Sequence, residues 1–286
     1  MVLLAAACFG GIPVLVTLAM RAGATLAATL FWRYAIGAAL LAVMTGGLRA
    51  VAAPGRRALH LTAVLGVMQA AIAFISLSAL RWIPAATVTF LFFTFPAWIT
   101  LLEAARGRER LTARRAGALL LALAGVGMMV GLGGAARIDP RGVLLAIGAA
   151  MLYAVYVPLI GGYQRAVPGT VVATYASAGA AAAFLVAVLL GGAAGFVLPA
   201  TGWAAAAILA VVSTAAGFRL FLAGLATLGS VRTAILGTLE PFCTAVLAAL
   251  LLDQRITARA VLGGALIASA VVVLQWQPGP RERTTR

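Results

Sequence analysis

The chain has 286 residues, of which 64% are hydrophobic and 9% are charged. This apolar fraction exceeds the roughly 45–50% of soluble globular domains, which excludes a water-soluble fold and indicates a membrane protein. The 21 basic residues give a net charge of +15. They lie between the apolar stretches rather than on one polar face, which argues against nucleic-acid binding.

Ten apolar segments follow one another along the chain. Each is long enough to cross the hydrocarbon core of a bilayer, which takes about 20 residues. Their approximate bounds are 2–20, 27–46, 59–80, 84–104, 113–133, 143–163, 171–191, 203–223, 231–252 and 259–276. Because the connections between them are short, the sequence predicts ten transmembrane helices and no soluble domain.

The two halves of the chain correspond to each other at a constant offset. Pro13 corresponds to Pro158 and Pro96 to Pro241, an offset of 145 residues in both cases. Five helices per half is an odd number, so the second half enters the membrane from the opposite side, as in many alternating-access transporters. We therefore predict an all-α integral membrane protein of ten transmembrane helices in two inverted five-helix repeats. The repeats would occupy residues 1–133 and 143–276, followed by a polar cytoplasmic tail at 277–286.

The distribution of arginine predicts the orientation of the chain. Thirteen arginines flank the predicted helices on the side of the N-terminus, and six flank them on the other side. Positive residues are enriched in cytoplasmic loops. Both termini are therefore predicted to be cytoplasmic.

Among the charged residues inside the predicted helices, three stand out: Arg33, Arg219 and Glu240. A charge at the centre of such a helix costs at least about 2.5–3.5 kcal/mol on insertion scales, so each needs a reason. Glu240 either lines a cavity, where it would bind a substrate amine or a coupling proton, or pairs with an arginine and fixes two helices. Arg219 either lines the cavity or extends to the interface. For Arg33 an orienting or headgroup contact is the favoured interpretation.

Prolines interrupt equivalent helices of the two halves. Pro241 follows Glu240 directly, and Pro96 occupies the equivalent position of the fourth helix. A proline inside a helix removes a backbone donor and frees a carbonyl, so both helices are predicted to break at the same level. Paired interruptions of this kind indicate a substrate site near the midplane. Pro13 and Pro158 are predicted to be a further pair of breaks or hinges.

Polar and aromatic side chains share faces of several predicted helices. Gln69 and Ser76 are seven residues apart in the third helix, and Thr214 is the repeat equivalent of Gln69. The predicted lining of the substrate cavity consists of Phe9, Gln69, Ser76, Thr94, Trp98, Tyr153, Tyr156, Thr214, Arg219, Glu240 and Thr244. Hydroxyl groups also bond helix carbonyls and aromatic rings also pack helices together, so packing is the alternative explanation of these faces.

Signatures of enzymes and metal sites are missing from the sequence. It contains no His-Glu-x-x-His, Cys-x-x-Cys or Gly-x-Ser-x-Gly motif, and the absence of lysine rules out a P-loop. The six acidic residues and one histidine leave little for general acid–base chemistry. We predict no enzyme activity, no cofactor and no metal.

The sequence resembles the drug/metabolite transporter superfamily, specifically its EamA-type ten-helix members. The clearest stretch is 96–125, where a proline is followed by Arg-Glu-Arg-Leu-Thr and a glycine-rich helix, and 239–257 is similar to it. Arg33 is similar to an arginine common in the second helix of the family. The family's usual Trp-Gly of the first helix is Phe9-Gly10 here, which leaves the substrate open.

The resemblance implies a central cavity bounded by helices one, three, four, six, eight and nine, with helices five and ten peripheral. It implies a multi-pass carrier of the bacterial inner membrane that exports small organic solutes by alternating access, with aromatic or neutral amino acids or related metabolites expected first. The carrier would be a monomer or homodimer in the lipid bilayer, working by proton coupling or by facilitated diffusion. The alternatives are a carrier of sugar phosphates or nucleotide sugars, as in other branches of the superfamily, and an intramembrane lipid-modifying enzyme.

Overall fold

The structure, a computed structural model, describes residues 1–47, 61–107, 112–130, 138–164, 167–191, 196–221, 223–224, 236–237 and 239–275. The first half of the chain forms α1 (Val2–Arg21), α2 (Leu26–Met44), α3 (Thr62–Arg81), α4 (Ala85–Phe92), α5 (Phe95–Ala105) and α6 (Ala113–Val130). The second half forms α7 (Pro140–Gln164), α8 (Gly169–Leu190), α9 (Ala200–Phe221), α10 (Glu240–Leu252) and α11 (Ala258–Gln275).

Helix length and composition fit a membrane. Within the described ranges, α1, α2, α3, α7, α8 and α9 are each long and apolar enough to cross a bilayer, and the remaining spans contain shorter apolar helices. An α-helix satisfies its backbone hydrogen bonds within the segment, which the hydrocarbon core requires. The chain is an all-α integral membrane protein, and its ten transmembrane helices confirm the ten segments predicted from the sequence.

Three of the described spans depart from a plain α-helix. The third span begins with a π-helical segment at Leu61–Leu65 and ends with a 3₁₀ turn at Ala79–Arg81. The fourth span is divided into α4 and α5 by a turn at Phe93 and Thr94. The eighth span, α9, widens into a π-helical segment at Leu209–Ala216 before it returns to α-helix. For the ninth span the helix after its predicted break, α10, is described, whereas 231–235 and 238 lie outside the described residues.

The packing of the helices relates the two repeats by a two-fold operation. α2 packs on its own repeat equivalent α8, and α6 packs on its own equivalent α11. The other main contacts come in equivalent couples: α3 with α7 matches α9 with α1, and α3 with α8 matches α9 with α2. Only a two-fold relation makes each such contact reciprocal. The fifth and tenth spans, α6 and α11, therefore pack mainly on each other.

Local structure repeats the same relation. α5 and α10 begin at the equivalent residues Phe95 and Glu240. The Thr29 hydroxyl donates to the Thr25 carbonyl at 2.9 Å, and the equivalent Thr174 hydroxyl donates to the Thr170 carbonyl at 2.8 Å. The exact limits of the repeats, 1–133 and 143–276, stay a prediction, because 131–137 and the predicted tail at 277–286 lie outside the described residues.

Pro13 and Pro158 do not interrupt their helices. α1 and α7 are continuous through these two positions, so the breaks predicted there are not present. A proline inside a helix can be accommodated by bending instead of a break, because the neighbouring helices support the backbone. A hinge role for the pair stays a prediction.

Candidate functional site

The interrupted helices place a carboxylate inside the bundle. Pro96 and Pro241 each lie in the first turn of a new helix, α5 and α10 respectively. Proline suits this position because the first N–H groups of a helix have no intrahelical acceptor. Glu240 is the first residue of α10, where a negative charge is favoured by the helix dipole. Its side chain is half-buried at the level where α10 begins.

A buried arginine is held by the π-helical segment of α9. Arg33, about halfway along α2, is only 5% exposed. Its Nε donates a hydrogen bond to the Thr214 Oγ1 at 3.3 Å. The Thr214 hydroxyl in turn donates to the carbonyl of Leu209, five residues earlier, at 3.2 Å. Thr214 was predicted as a cavity residue, and it serves here to orient a charge.

Tyr34 is a site residue that the sequence analysis missed. Its ring lies beneath the Arg33 guanidinium, whose carbon is 4.9 Å from the ring centre. The Gln69 side-chain amide donates to the Tyr34 hydroxyl at 2.9 Å. On its other side Tyr34 stacks on Phe184, with ring centres 5.9 Å apart. The predicted cavity residue Gln69 therefore fixes Tyr34, and Tyr34 supports the guanidinium by a cation–π contact.

Four rings form an aromatic wall beside these polar groups: Phe92, Phe95, Tyr153 and Tyr156. The ring centre of Tyr153 lies 5.0 Å from that of Phe92, 4.9 Å from that of Phe95 and 5.9 Å from that of Tyr156. Phe92 and Phe95 come from the two sides of the break in the fourth span. Both tyrosines were predicted from the sequence, whereas the two phenylalanines were not.

The polar groups act on one another through space and form what we call the central polar cluster: Arg33, Tyr34, Gln69, Thr214 and Glu240. Glu240 interacts electrostatically with Arg33, and Tyr153 of the aromatic wall interacts with both Glu240 and Tyr34. The cluster and the wall draw residues from α2, α3, α4, α5, α7, α9 and α10. Both repeats therefore contribute residues to this candidate site.

Other predicted cavity residues bond the backbone of their own or a neighbouring helix. The Thr244 hydroxyl donates to the Gly10 carbonyl at 2.9 Å and joins α10 to α1. Ser76 donates to Ala73 within α3 at 3.3 Å. Thr94 donates to Leu91 at 2.7 Å and accepts from the Trp98 indole N–H at 3.2 Å, across the break in the fourth span. These bonds serve helix packing and the turn.

The structure does not bring Phe9 and Arg219 into the central polar cluster. Phe9 packs in an aromatic group of its own, with ring centres 5.8 Å from Phe218 and 6.3 Å from Phe221. Arg219 is exposed on α9. Its repeat equivalent, Phe74, is also exposed, so this position faces outward in both repeats. An exposed position suits an arginine whose long stem reaches the membrane interface.

Within the described part of the chain, two hydrogen bonds join the repeats at the end of the bundle where α1 finishes. The Gln254 side-chain carbonyl accepts from the Ala85 N–H at 3.1 Å, at the start of α4. The Arg21 guanidinium donates to the Leu252 carbonyl at 3.3 Å, at the end of α10. A cavity of about 290 Å³ lies between them, lined by Thr17, Met20, Arg21, Leu80 and Gln254. These bonds cross from one repeat to the other and hold this end together.

Replacing Gln254 with alanine is expected to loosen this end. The buried Ala85 N–H would lose its acceptor, which costs about 1–3 kcal/mol. With Cys8→Ala and Cys243→Ala as background, a Thr17→Cys variant should then react at least about fivefold faster with a membrane-impermeant maleimide. Gln254→Glu keeps the acceptor and is the matched control. Equal labelling rates in the two variants would show that the bond does not hold this end closed.

Comparison with known proteins agrees with this architecture. Eighteen chains of solved structures match the chain. One of them, a crystal structure of a protein, aligns with 94% of this chain over 94% of the other chain, with a TM-score of 0.66. Because the sequence identity is 20%, this similarity shows the fold alone. No curated protein matches the chain. The EamA-like transporter family matches it twice, at residues 1–131 and 140–276. These two matches cover nearly the whole length, so the chain belongs to the EamA-like transporter family, a family of membrane transporters.

Proposed function

We propose that this membrane transporter exports small organic solutes, with aromatic or neutral amino acids and related metabolites as its substrates, by alternating access. The observation that carries the proposal is the position of Glu240. It is a half-buried carboxylate at the first residue of α10, and it interacts electrostatically with the buried guanidinium of Arg33 and with Tyr153 of the aromatic wall. A carboxylate can accept an amine, and aromatic rings can bury an apolar side chain.

The origin of the site residues supports alternating access. Arg33, Tyr34 and Gln69 come from the first repeat, whereas Tyr153 and Glu240 come from the second. A rocking movement of one repeat against the other would change which end of the bundle is open while the substrate stays at the midplane. Pro96 and Pro241, at the two helix restarts, are the proposed hinges. The proposed setting is the bacterial inner membrane, with both termini cytoplasmic.

A carrier of sugar phosphates or nucleotide sugars is the second candidate, and the described residues favour it less. A phosphate group carries more than one negative charge and is usually bound by several cations. In the part of the chain that the structure describes, Arg33 is the basic member of the central polar cluster, and Arg219 is exposed. Arg232, a further basic residue of the predicted ninth helix, lies outside the described residues.

A counterflow assay tests the proposed function. Purified protein in liposomes loaded with one unlabelled amino acid should accelerate the uptake of the same labelled amino acid, and the aromatic and neutral members of a panel should respond most strongly. A glucose phosphate and a nucleotide sugar serve as comparison solutes. Counterflow of either of these without counterflow of any amino acid would contradict the proposal and favour the second candidate.

A further inference from the structure

The guanidinium of Arg33 is buried, yet most of its donors are unused. A guanidinium carries five N–H groups, and only Nε donates a hydrogen bond, to Thr214. Among the residues that the structure describes, its two terminal nitrogens donate no hydrogen bond. A buried charge is costly unless its donors find acceptors. The two terminal nitrogens are therefore left to donate to an anionic group of a bound solute.

The structure fixes the guanidinium in one orientation. Thr214 holds Nε, and Tyr34, itself held by Gln69, lies under the guanidinium plane. A Cβ added to Gly37 would come within 2.5 Å of the Thr214 Cγ2, so α2 and α9 are in close contact at this level. A cation whose supports are held by packing and hydrogen bonds is organised for binding before the ligand arrives.

The second charge of the site has the opposite sign. Glu240 and Arg33 interact electrostatically, but no ion pair joins them, which would need a nitrogen and an oxygen within 4.0 Å of each other. Each charge is therefore left to interact with a further group. The aromatic wall lies beside them, since Tyr153 interacts electrostatically with Glu240 and packs on Phe95.

We propose that the site binds zwitterionic solutes, with Arg33 binding the anionic end, Glu240 the cationic end and the aromatic wall the apolar part. This inference rests on the proposed function and names the substrate class of the same site. A guanidinium can bind a carboxylate through two parallel hydrogen bonds. A zwitterion satisfies both charges, whereas a solute with a single charge leaves the other charge of the site unmatched.

Three solutes with the same aromatic side chain and different charges test the proposal by binding to the purified carrier. L-phenylalanine has both charges, L-phenylalaninamide lacks the carboxylate, and N-acetyl-L-phenylalanine lacks the ammonium. Isothermal titration calorimetry in detergent measures the affinity of each. The wild type should bind L-phenylalanine at least about tenfold more tightly than either analogue, because each analogue leaves a charge without its partner. Equal affinities for the three solutes, or no binding of L-phenylalanine, would overturn the proposal.

Two substitutions assign the charges to residues. Arg33→Gln should abolish the preference for L-phenylalanine over its amide and keep the preference over the N-acetyl compound. Glu240→Gln should do the reverse. Arg33→Lys keeps the charge without the paired hydrogen bonds, so it should keep the preference over the amide at lower affinity. If Arg33→Gln lowers the affinity for all three solutes equally, Arg33 is a structural residue and the charge assignment is wrong.

The binding assay and the transport assay separate this inference from the proposed function. A carrier that binds the three solutes with the expected order but gives no counterflow of L-phenylalanine contradicts the proposed function and leaves the charge assignment standing. A carrier that gives counterflow but shows unchanged selectivity in Arg33→Gln contradicts the charge assignment alone.

Discussion

Replacing Glu240 with glutamine is expected to reduce amino-acid transport at least about tenfold. The amide has nearly the same shape as the carboxylate but no negative charge, so it can no longer form a charge-assisted hydrogen bond with an ammonium group. Such bonds contribute about 1.5–3 kcal/mol, which corresponds to a factor of roughly 10 to 150 in affinity. The measurement is the substrate concentration that gives half-maximal counterflow in liposomes, compared between the wild type and Glu240→Gln.

Asp253→Asn is the matched control for this change. Asp253 lies at the opposite end of α10, is exposed, and has a left-handed backbone with φ of 55° that asparagine also adopts readily. The substitution removes the same charge from the end of the same helix without touching the central polar cluster, so transport should stay close to the wild-type value. Equal losses in both variants would show that general charge, and not the position of Glu240, determines transport.

The Glu240→Gln variant also tests proton coupling. Among the described residues, the charged or titratable groups that interact with Glu240 are Arg33 of α2, Tyr153 of α7 and Cys243 of α10 itself. Glutamine cannot exchange a proton, so a carrier coupled through Glu240 should lose accumulation driven by a pH gradient in Glu240→Gln. Counterflow needs no proton gradient, so the counterflow rate of the variant should fall only because the variant binds the substrate more weakly. Unchanged gradient-driven accumulation in the variant would exclude coupling through this residue.

Most of the fold could be predicted from the sequence because it follows from strong and local rules. Long apolar runs must become helices in lipid, and their number is read directly. Pro96 and Pro241 predicted the level at which α5 and α10 begin, at Phe95 and Glu240, since proline suits the first turn of a helix. The same rule failed at Pro13 and Pro158, because the surrounding helices support a continuous backbone there, and no sequence signal reports that support.

The candidate site was harder to predict because its geometry depends on contacts between distant helices. Arg33 was interpreted as an orienting or headgroup residue, and Tyr34 was not considered, since nothing in α2 alone shows that Thr214 and Gln69 reach them. One signal was present: the repeat equivalents of Arg33 and Tyr34 are Ala178 and Gly179. A charge that occurs in one repeat only is a departure from symmetry. Arg219, whose equivalent is Phe74, departs in the same way but is exposed, so the burial of Arg33 was needed to tell the two apart.

The π-helical segment of α9 is a second feature that the sequence could not reveal. Apolar periodicity does not distinguish a π-helix from an α-helix over eight residues. In the structure the segment orients two polar groups toward neighbouring helices. Thr214 accepts from Arg33 of α2 at 3.3 Å, and Ser213 donates to the Cys8 carbonyl of α1 at 2.7 Å. Wide turns of this kind are frequent at functional sites, which agrees with the position of this one.

Replacing Gly179 with alanine is expected to destabilise the protein by about 1–3 kcal/mol, the usual cost of overpacking a tight contact. Gly179 of α8 and Gly66 of α3 lie against each other at a helix crossing. A Cβ on Gly179 would collide with the Thr62 carbonyl and the Gly66 Cα, and a Cβ on Gly66 would collide with the backbone of Gly179. Backbone atoms cannot rotate away as side chains can, so the two helices would have to separate. Leucine at position 179 should prevent folding.

Thermal unfolding of the detergent-purified protein measures this effect. A loss of this size corresponds to a fall in Tm of roughly 2–12 °C, at about 2–4 °C per kcal/mol. Gly148→Ala is the matched control, because a Cβ there would meet nothing within 4 Å, and helix propensity should leave its Tm unchanged or raise it.

The two glycines of this crossing should also fail to act independently. One added methyl group already moves α3 away from α8. A second methyl group at the facing glycine then meets a wider gap and disrupts fewer contacts. Gly66→Ala combined with Gly179→Ala should therefore lower Tm by less than the sum of the two single changes. Because α3 carries Gln69 and α8 carries Phe184, which together hold Tyr34 in the central polar cluster, the same separation should weaken substrate binding. Additive losses of Tm with unchanged binding would show that the two helices do not meet at these glycines.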